Sequence, residues 1–424
     1  MKIILKNGRV IDPASQRDEI GSVCIADDKI VSVGSIPADF NADSIFDCSG
    51  QIIAPGFIDV CSRLREPGFT QKGTIATETR AAASSGFTAI LCLPDTEPVI
   101  DSTAVANLIE DKAIAAGFPN VLPIGALTKK LDGNQLANMH ALKQAGCVAV
   151  SNLRRAIKDT RTLLRCLEYA ATHDLTVFFQ SQDPTLAEGC VNESALASKL
   201  GLPSIPSSAE TIALARDLIL VEQTGVRAHF GQLSTARSVD MIANAQAKGL
   251  AVTADVAIHQ LHITQDAVEG FNSVFHVIPP LRSEKDVAAL RQGVKSGVIG
   301  AICSDHQPHD AFAKMAPFAE TEPGVSAYDS FLPLCLALVE ECVLDLMHLI
   351  ERLTIGPARS FSLHMGSLKA QEKANICVFS PLQDWTMSAD AMFSKGKNSP
   401  FLNAELKGKV NLTLINGRVA YQQA

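Results

Sequence analysis

The feature that most constrains the fold of this chain is a series of short apolar segments separated by helix-length amphipathic stretches. Eight such segments lie at residues 56–60, 89–93, 121–125, 148–150, 176–179, 226–230, 251–254 and 299–303. Short apolar runs between helical stretches are typical of parallel strands that are buried on both faces. Eight strand-and-helix units predict an α/β fold, a (β/α)8 barrel of the TIM type, with functional side chains after the carboxyl ends of the strands. A doubly wound sheet is the main alternative, but no glycine-rich phosphate loop follows the first strand.

The two ends of the chain have a different sequence pattern, in which short predicted strands alternate with turns. Residues 5–10 read Leu-Lys-Asn-Gly-Arg-Val and residues 414–419 read Leu-Ile-Asn-Gly-Arg-Val. Nothing between these two phrases recurs, so we predict that the chain ends complete one small β-sandwich and are not a tandem repeat. The predicted domains are a β-sandwich of residues 1–55 with 365–424 and a barrel of residues 56–364.

Charge and cysteine usage limit the class of function and the compartment. The net charge of −8 provides no basic field that would attract nucleic acid or anionic lipid. The apolar run at the N-terminus is too short for a signal peptide, and no later run has the length of a membrane span. The 11 cysteines are scattered singly along the chain, as expected for reduced core thiols. We therefore expect a cytoplasmic protein that binds neither nucleic acid nor membranes.

Polar motifs that follow the predicted strands carry a resemblance to a known family. These motifs lie at residues 59–68, 93–98, 233–236, 279–282, 304–309 and 398–401. In this order, and over nearly the whole chain, they resemble the motifs of dihydroorotases of the amidohydrolase superfamily. The resemblance implies a zinc-dependent enzyme that adds or removes water across a cyclic amide.

The departures from the family pattern fall on the metal ligands. The resemblance implies histidines or a bridging acidic residue at five positions, which this chain fills with Cys61, Arg63, Asn152, Gln180 and Gln232. A guanidinium cannot ligate a metal, and an amide lacks the anionic charge that would hold two cations together. Zinc hydrolases typically use three protein ligands from His, Cys and carboxylates, whereas Cys61 and Asp305 supply at most two. We predict that the zinc site is lost and that the chain holds no cofactor.

The loss of the metal has a large energetic consequence for hydrolysis. A metal lowers the pKa of its bound water from about 15.7 to about 7, so its loss costs roughly 12 kcal/mol for generating hydroxide at neutral pH. Asp305, the retained family residue at a catalytic position, can act as a general base, but general base catalysis is worth only about 10²- to 10⁴-fold. We therefore expect Asp305 to be inactive and residues 304–309 to be a structural part of the rim. Cys61 is either a reactive thiol beside a cation or a small filler, and we favour the filler.

The resemblance also implies a remnant of the substrate site. Arg65 and His309 match residues that hold the substrate carboxylate, whereas Asp95 replaces an asparagine and would repel that carboxylate. The first and eighth strands are neighbours in a closed barrel, so Arg63 and Asp305 project from adjacent strand ends. We predict that these two side chains form an ion pair in place of the missing cation.

Three functions remain open from the sequence. The leading hypothesis, which comes from the resemblance, is a non-catalytic dihydroorotase-like subunit that assembles with the catalytic chain of aspartate carbamoyltransferase in pyrimidine biosynthesis, in a homo- or hetero-oligomer. The alternative is a dihydroorotase or other cyclic-amide hydrolase with an unconventional, metal-poor site built on Asp305 and Cys61. The third is a binding module in which Arg65 and His309 still hold an anion. The apolar run at residues 331–339 suits either an interface or a buried barrel helix, and we favour burial.

Overall fold

A computed structural model describes residues 1–118 and 120–423 of the chain. The β-strands are β1 (Lys2–Asp12), β2 (Arg17–Ala26), β3 (Lys29–Gly34), β4 (Ser44–Asp47), β5 (Ile52–Pro55), β6 (Phe57–Ser62), β7 (Phe87–Cys92), β8 (Val121–Ala126), β9 (Ala149–Leu153), β10 (Thr176–Phe179), β11 (Val191–Asn192), β12 (Ser204–Ile205), β13 (Ala228–Phe230), β14 (Val252–Ala257), β15 (Ala301–Cys303), β16 (Ile376–Thr386), β17 (Glu405–Ile415) and β18 (Arg418–Gln422).

The α-helices are α1 (Ile75–Ser84), α2 (Thr103–Ala115), α3 (Met139–Gln144), α4 (Thr160–Thr172), α5 (Ala195–Leu200), α6 (Ser208–Thr224), α7 (Ala236–Ala247), α8 (Glu284–Ser296), α9 (Tyr328–Glu340), α10 (Leu346–Leu353) and α11 (Ile355–Ser360). Short 3-10 turns lie at Lys129–Leu131, Ile258–Leu261, Gln265–Val268, Ser273–Phe275, Ala311–Lys314, Phe318–Glu320 and Ala389–Ala391.

Parallel strands form the predicted barrel. Their order is β6, β7, β8, β9, β10, β13, β14 and β15, and each of them overlaps one of the eight apolar segments. The barrel closes where Ser62, at the end of β6, forms a parallel bridge with His306. There the Arg63 N–H donates to the His306 carbonyl at 3.0 Å. Every residue of β6 and β7 is buried, as expected for strands covered on both faces. The predicted (β/α)8 barrel is confirmed.

The two chain ends meet in a second sheet, as predicted. Its order is β18-β17-β16-β5-β1-β2-β3, with β4 paired to β1. Side chains from β1, β2, β16 and β17 share one apolar cluster, so residues distant in sequence depend on each other for burial. The sheet strands lie within residues 2–55 and 376–422.

The two similar phrases at the chain ends fold differently. Asn7 has a positive φ of 63° and lies in a bulge of one continuous strand, where the pairing with β2 shifts between Leu5 and Gly8. Asn416 and Gly417 instead form the turn between β17 and β18. Gly417 has a φ of 75°, and a Cβ there would collide with the carbonyl oxygen of Asp27. The same Asn-Gly pair therefore serves a bulge at one end and a hairpin turn at the other.

The apolar run at residues 331–339 lies in α9, which packs against β17. Phe331, Cys335 and Leu338 are fully buried, so the expected burial is confirmed. All 11 cysteines are free thiols, and Cys342 alone among them is exposed. Within the described ranges, the helices are too short or too polar to cross a membrane.

Candidate functional site

Arg63 is the central side chain of the barrel mouth. It follows β6, and its Nε donates to Asp95 Oδ2 at 2.7 Å. Its Nη1 lies 3.8 Å from Oδ1 of Asp305, which is buried after β15. The predicted approach of Arg63 to Asp305 is present, but Asp95 is the closer partner. Burial opposes ionisation of Asp95, yet Arg63 outweighs burial and lowers the pKa of Asp95. Asp95 is therefore an ionised carboxylate that is paired with Arg63, and not the unpaired negative charge that the sequence suggested.

Cys61 lies beside this ion-pair cluster and is fully buried. Its Sγ is 3.8 Å from Asp305 Oδ1 and accepts a hydrogen bond from Gln180 Nε2 at 3.6 Å. A hydrogen bond from Cys303 favours the thiolate, but burial and the nearby carboxylates raise the pKa of Cys61 to about 11. A thiol with this pKa is protonated at neutral pH, which favours the filler interpretation over the reactive one.

A guanidinium and two amides occupy the other side of the mouth. Gln180 Nε2 donates to Gln232 Oε1 at 2.7 Å. The same Gln232 oxygen accepts from Arg154 Nη2 at 2.6 Å. Sequence reasoning missed Arg154, although it is the first charged residue after β9 and therefore lies at a strand end, where barrel proteins place functional groups.

Asn152 makes its side-chain hydrogen bonds away from these residues. The pairing of β9 with β10 shifts at this residue, which marks a bulge, and a bulge redirects side chains. Its Oδ1 accepts from Thr128 Oγ1 at 2.8 Å, and its Nδ2 donates to the Arg155 carbonyl at 2.9 Å. Asn152 therefore holds the loops that follow β8 and β9.

The residues at the centre do not fit the zinc site that the family implies. Asp305 is surrounded by a protonated thiol, a guanidinium and the amide of Gln307, whose Nε2 donates to Asp305 Oδ1 at 2.8 Å. His259 is buried nearby, and burial lowers its pKa. Across residues 1–118 and 120–423, no group of three or more His, Cys, Asp or Glu side chains is arranged to hold a metal ion. The positive charge of Arg63 disfavours a divalent cation at this point.

Arg65 and His309 lie together at the edge of the mouth. Arg65 Nη2 is 3.0 Å from His309 Nε2, and Arg65 Nε donates to the Pro308 carbonyl at 3.0 Å. Burial and the adjacent Arg65 lower the pKa of His309 to about 2, so the imidazole is neutral. The positive charge of this pair is carried by Arg65 alone, and a role in holding an anion stays a prediction.

The retained motifs at residues 304–309 and 398–401 are held by structural hydrogen bonds. His306 Nδ1 accepts from the Ala327 N–H at 3.1 Å, which places the ring proton on Nε2, 2.8 Å from Glu78 Oε2. Asn398 Oδ1 accepts from the His309 N–H at 2.8 Å, and its Nδ2 donates to the Gln307 and Gly324 carbonyls at 3.0 Å. These contacts fix the backbone around Asp305.

The fold matches those of solved hydantoinase structures. It is similar to the L-hydantoinase (dihydropyrimidinase) of Arthrobacter aurescens, with a TM-score of 0.88, 22% identity and coverage of 100% of this chain and 96% of that chain. A D-hydantoinase structure matches with a TM-score of 0.81, 21% identity and coverage of 100% and 96%. At such identities the likeness shows the fold alone, a parallel barrel with an appended sheet.

Sequence comparison is more specific. The family model described as Dihydro-orotase-like matches residues 50–238. A Pseudomonas aeruginosa protein named Dihydroorotase-like protein is 50% identical over 423 residues, which cover 100% of both chains. A Syntrophotalea carbinolica protein named Dihydroorotase is 40% identical over 423 residues, covering 100% of this chain and 99% of that protein. The chain belongs to the dihydroorotase-like family, as its motifs predicted.

Proposed function

We propose that this chain is a non-catalytic dihydroorotase-like protein and a structural subunit of a cytoplasmic aspartate carbamoyltransferase complex in pyrimidine biosynthesis. The observation that supports the loss of catalysis is the Arg63 guanidinium, which lies 2.7 Å from Asp95 and 3.8 Å from Asp305 at the centre of the barrel mouth. Both carboxylates already have a cationic partner, so neither is free to hold a metal without displacing Arg63.

The scaffold part of the proposal rests on a contrast between chemistry and framework. The metal-ligand positions carry Arg, Cys and amide side chains, whereas the retained motifs still hold the barrel rim together through His306 and Asn398. A chain that keeps the barrel fold but lacks the metal-ligand residues is most simply explained if its surface binds another protein. The partner itself, the catalytic chain of aspartate carbamoyltransferase, comes from the family resemblance.

An exposed apolar face on a barrel helix is a candidate for the subunit interface. Ile212 and Ile219 on α6 are 52% and 64% exposed. They are seven residues apart and therefore lie on the same face of the helix. Exposed apolar side chains grouped in this way are typical of interaction surfaces.

Co-expression with the catalytic chain of aspartate carbamoyltransferase tests the scaffold role. We expect the two chains to co-elute in size-exclusion chromatography and the carbamoyltransferase activity to depend on this chain. The double variant Ile212→Lys/Ile219→Lys should weaken co-elution, whereas Ile45→Lys, an exposed isoleucine in the terminal sheet, should not. Separate elution with full transferase activity in the partner alone would falsify the scaffold role. Normal co-elution of the double variant would exclude only the α6 interface.

A catalytic role is the second candidate, because a relative that is 40% identical to this chain carries the name Dihydroorotase. A dihydroorotase or other cyclic-amide hydrolase with a metal-poor site would turn over dihydroorotate or carbamoyl aspartate without added metal. Activity assays in both directions separate this candidate from the scaffold. The Arg65–His309 pair supports a third candidate, an anion-binding module, which calorimetry with dihydroorotate tests directly.

A further inference from the structure

A cavity lies away from the barrel mouth, where α1 and α9 meet the C-terminal strands. Its volume is about 330 Å³, which falls within the range of small-molecule sites. The cavity is lined by Ser84, Ser85, Tyr328, Asp329, Leu332, Pro333, Trp385, Ala391, Phe393, Gly408, Lys409, Val410, Tyr421 and Gln423. None of these residues belongs to the site described above.

Two protein cations already lie over aromatic rings in the walls of this cavity. Lys409 Nζ lies 5.0 Å from the centroid of the Trp385 ring, and the Arg80 guanidinium carbon lies 5.0 Å from the centroid of Phe393. Both distances are within the range of a favourable cation–π interaction. Phe393 also packs edge to face with Tyr421, at 5.7 Å between centroids. With Trp385 and Tyr328, four aromatic rings line the cavity.

Asp329 supplies an acceptor that has no partner within the described residues. Its Oδ1 accepts from the Phe393 N–H at 3.0 Å, whereas its Oδ2 is buried and receives no hydrogen bond. Pro333, four residues later in α9, has no N–H to donate to the Asp329 carbonyl. An unpaired buried carboxylate oxygen is costly, and burial raises the pKa of Asp329. A bound cation would remove this cost.

The end of α1 adds further negative potential. Ser84 and Ser85 lie at its C-terminus, where the helix dipole is negative, and its last turn has no basic residue. Both hydroxyl groups donate to the Ala81 carbonyl, at 2.8 and 3.0 Å. Their oxygen lone pairs therefore remain available as acceptors.

We propose that this cavity binds a small organic cation with a primary ammonium or guanidinium head group. The head group pairs with Asp329 Oδ2, and the aliphatic part lies against Leu332 and the aromatic rings. This inference does not depend on the function proposed for the barrel mouth or on the partner.

Trp385 is the only tryptophan of the chain, so its fluorescence reports on the cavity. We would titrate the full chain with n-butylammonium chloride, and with 1-butanol and sodium butanoate as neutral and anionic counterparts at equal ionic strength. We expect a saturable change with n-butylammonium, matched by calorimetry, and a much weaker response to the other two. Asp329→Asn should weaken n-butylammonium binding by about tenfold or more. Asp384→Asn, which removes an exposed carboxylate next to Trp385, should change it by less than about twofold.

The proposal is overturned if n-butylammonium gives no saturable response, or if 1-butanol binds equally well. Unchanged affinity in Asp329→Asn would also overturn it. Circular dichroism and thermal unfolding show whether that variant folds. If it does not, Phe393→Leu provides the decision, because it keeps the carboxylate and removes one aromatic wall. We expect Phe393→Leu to weaken binding by about two- to fivefold, and unchanged binding in this variant would again contradict the proposal.

Discussion

The barrel mouth contains two regions that differ in how completely their polar groups are paired. We define the centre as Cys61, Arg63, Gln180, Gln232 and Asp305, and the flank as Glu78, Arg282, His306 and Asn398. In the centre, Gln180 Oε1 and Gln232 Nε2 are buried without a hydrogen-bond partner among the described residues. In the flank, Glu78 accepts from His306, Ser394 and the Lys395 N–H.

The hydrogen bonds of Arg282 show that polar groups of the flank are paired. It is fully buried, and it donates to Ser234 Oγ at 3.1 Å, Asn192 Oδ1 at 2.7 Å and the Ile205 carbonyl at 2.9 Å. Both regions contain positions that match family motifs, so motif matching alone does not separate chemistry from architecture. The pairing of polar groups separates the two, because a fully paired buried network stabilises the fold whether or not the protein is an enzyme.

The largest expected effect is in the flank. Glu78→Ala removes the acceptor shared by His306, Ser394 and the Lys395 N–H, and leaves the buried donors of His306 and Ser394 unpaired. We expect the free energy of unfolding to fall by about 3–5 kcal/mol, measured by urea denaturation. The control Glu110→Ala, on the exposed face of α2, should change it by less than about 0.5 kcal/mol. A similar small change in both variants would remove the contrast between the two regions.

The next effect concerns the ion pair of the centre. Arg63→Met leaves Asp95 and Asp305 without their cation, and we expect a loss of about 2–3 kcal/mol in the free energy of unfolding. The estimate lies below that for a fully buried pair because Asp95 is partly exposed. The double variant Arg63→Met/Asp95→Asn should recover part of this loss. If Arg63→Met is as stable as the parent protein, the guanidinium does not neutralise the centre.

A smaller effect should appear in the pH dependence of stability. Arg63 holds the folded-state pKa of Asp95 below its unfolded value, so this carboxylate stabilises the fold above the unfolded pKa of about 3.9. That contribution is lost as the pH falls through the folded pKa. Asp95→Asn should therefore make the free energy of unfolding fall less steeply below about pH 4. An unchanged acid slope, measured by urea denaturation from pH 6 to pH 2.5, would show that Asp95 carries no such contribution.

The smallest expected effect is again in the centre. Gln180→Met keeps the side-chain length, and the Gln232 oxygen that loses one donor still accepts from Arg154. Since Gln180 Oε1 has no partner to lose, we expect a change of less than about 1 kcal/mol in the free energy of unfolding. A loss as large as that of Glu78→Ala would show that the centre is as structurally constrained as the flank.

The fold was predictable from the sequence because its strands are buried on both faces and therefore read as continuous apolar runs. The order of the barrel strands correctly brought Cys61, Arg63 and Asp305 together, because strands β6 and β15 are neighbours where the barrel closes. The hydrogen bonds of Asn152 to the loops after β8 and β9 were not predictable, because the register shift between β9 and β10 at this residue leaves no signature in the apolar pattern. The closer pairing of Arg63 with Asp95 depends on side-chain reach between β6 and β7, which periodicity does not report.

The zinc content and dihydroorotase activity of the purified protein test the central claim most directly. We predict no stoichiometric zinc by elemental analysis and no turnover in either direction, because Cys61, Arg63, Gln180 and Gln232 offer no metal site around Asp305. The single variant Arg63→His should not restore turnover. One or more zinc ions per chain, together with turnover that Asp305→Ala abolishes, would contradict the claim.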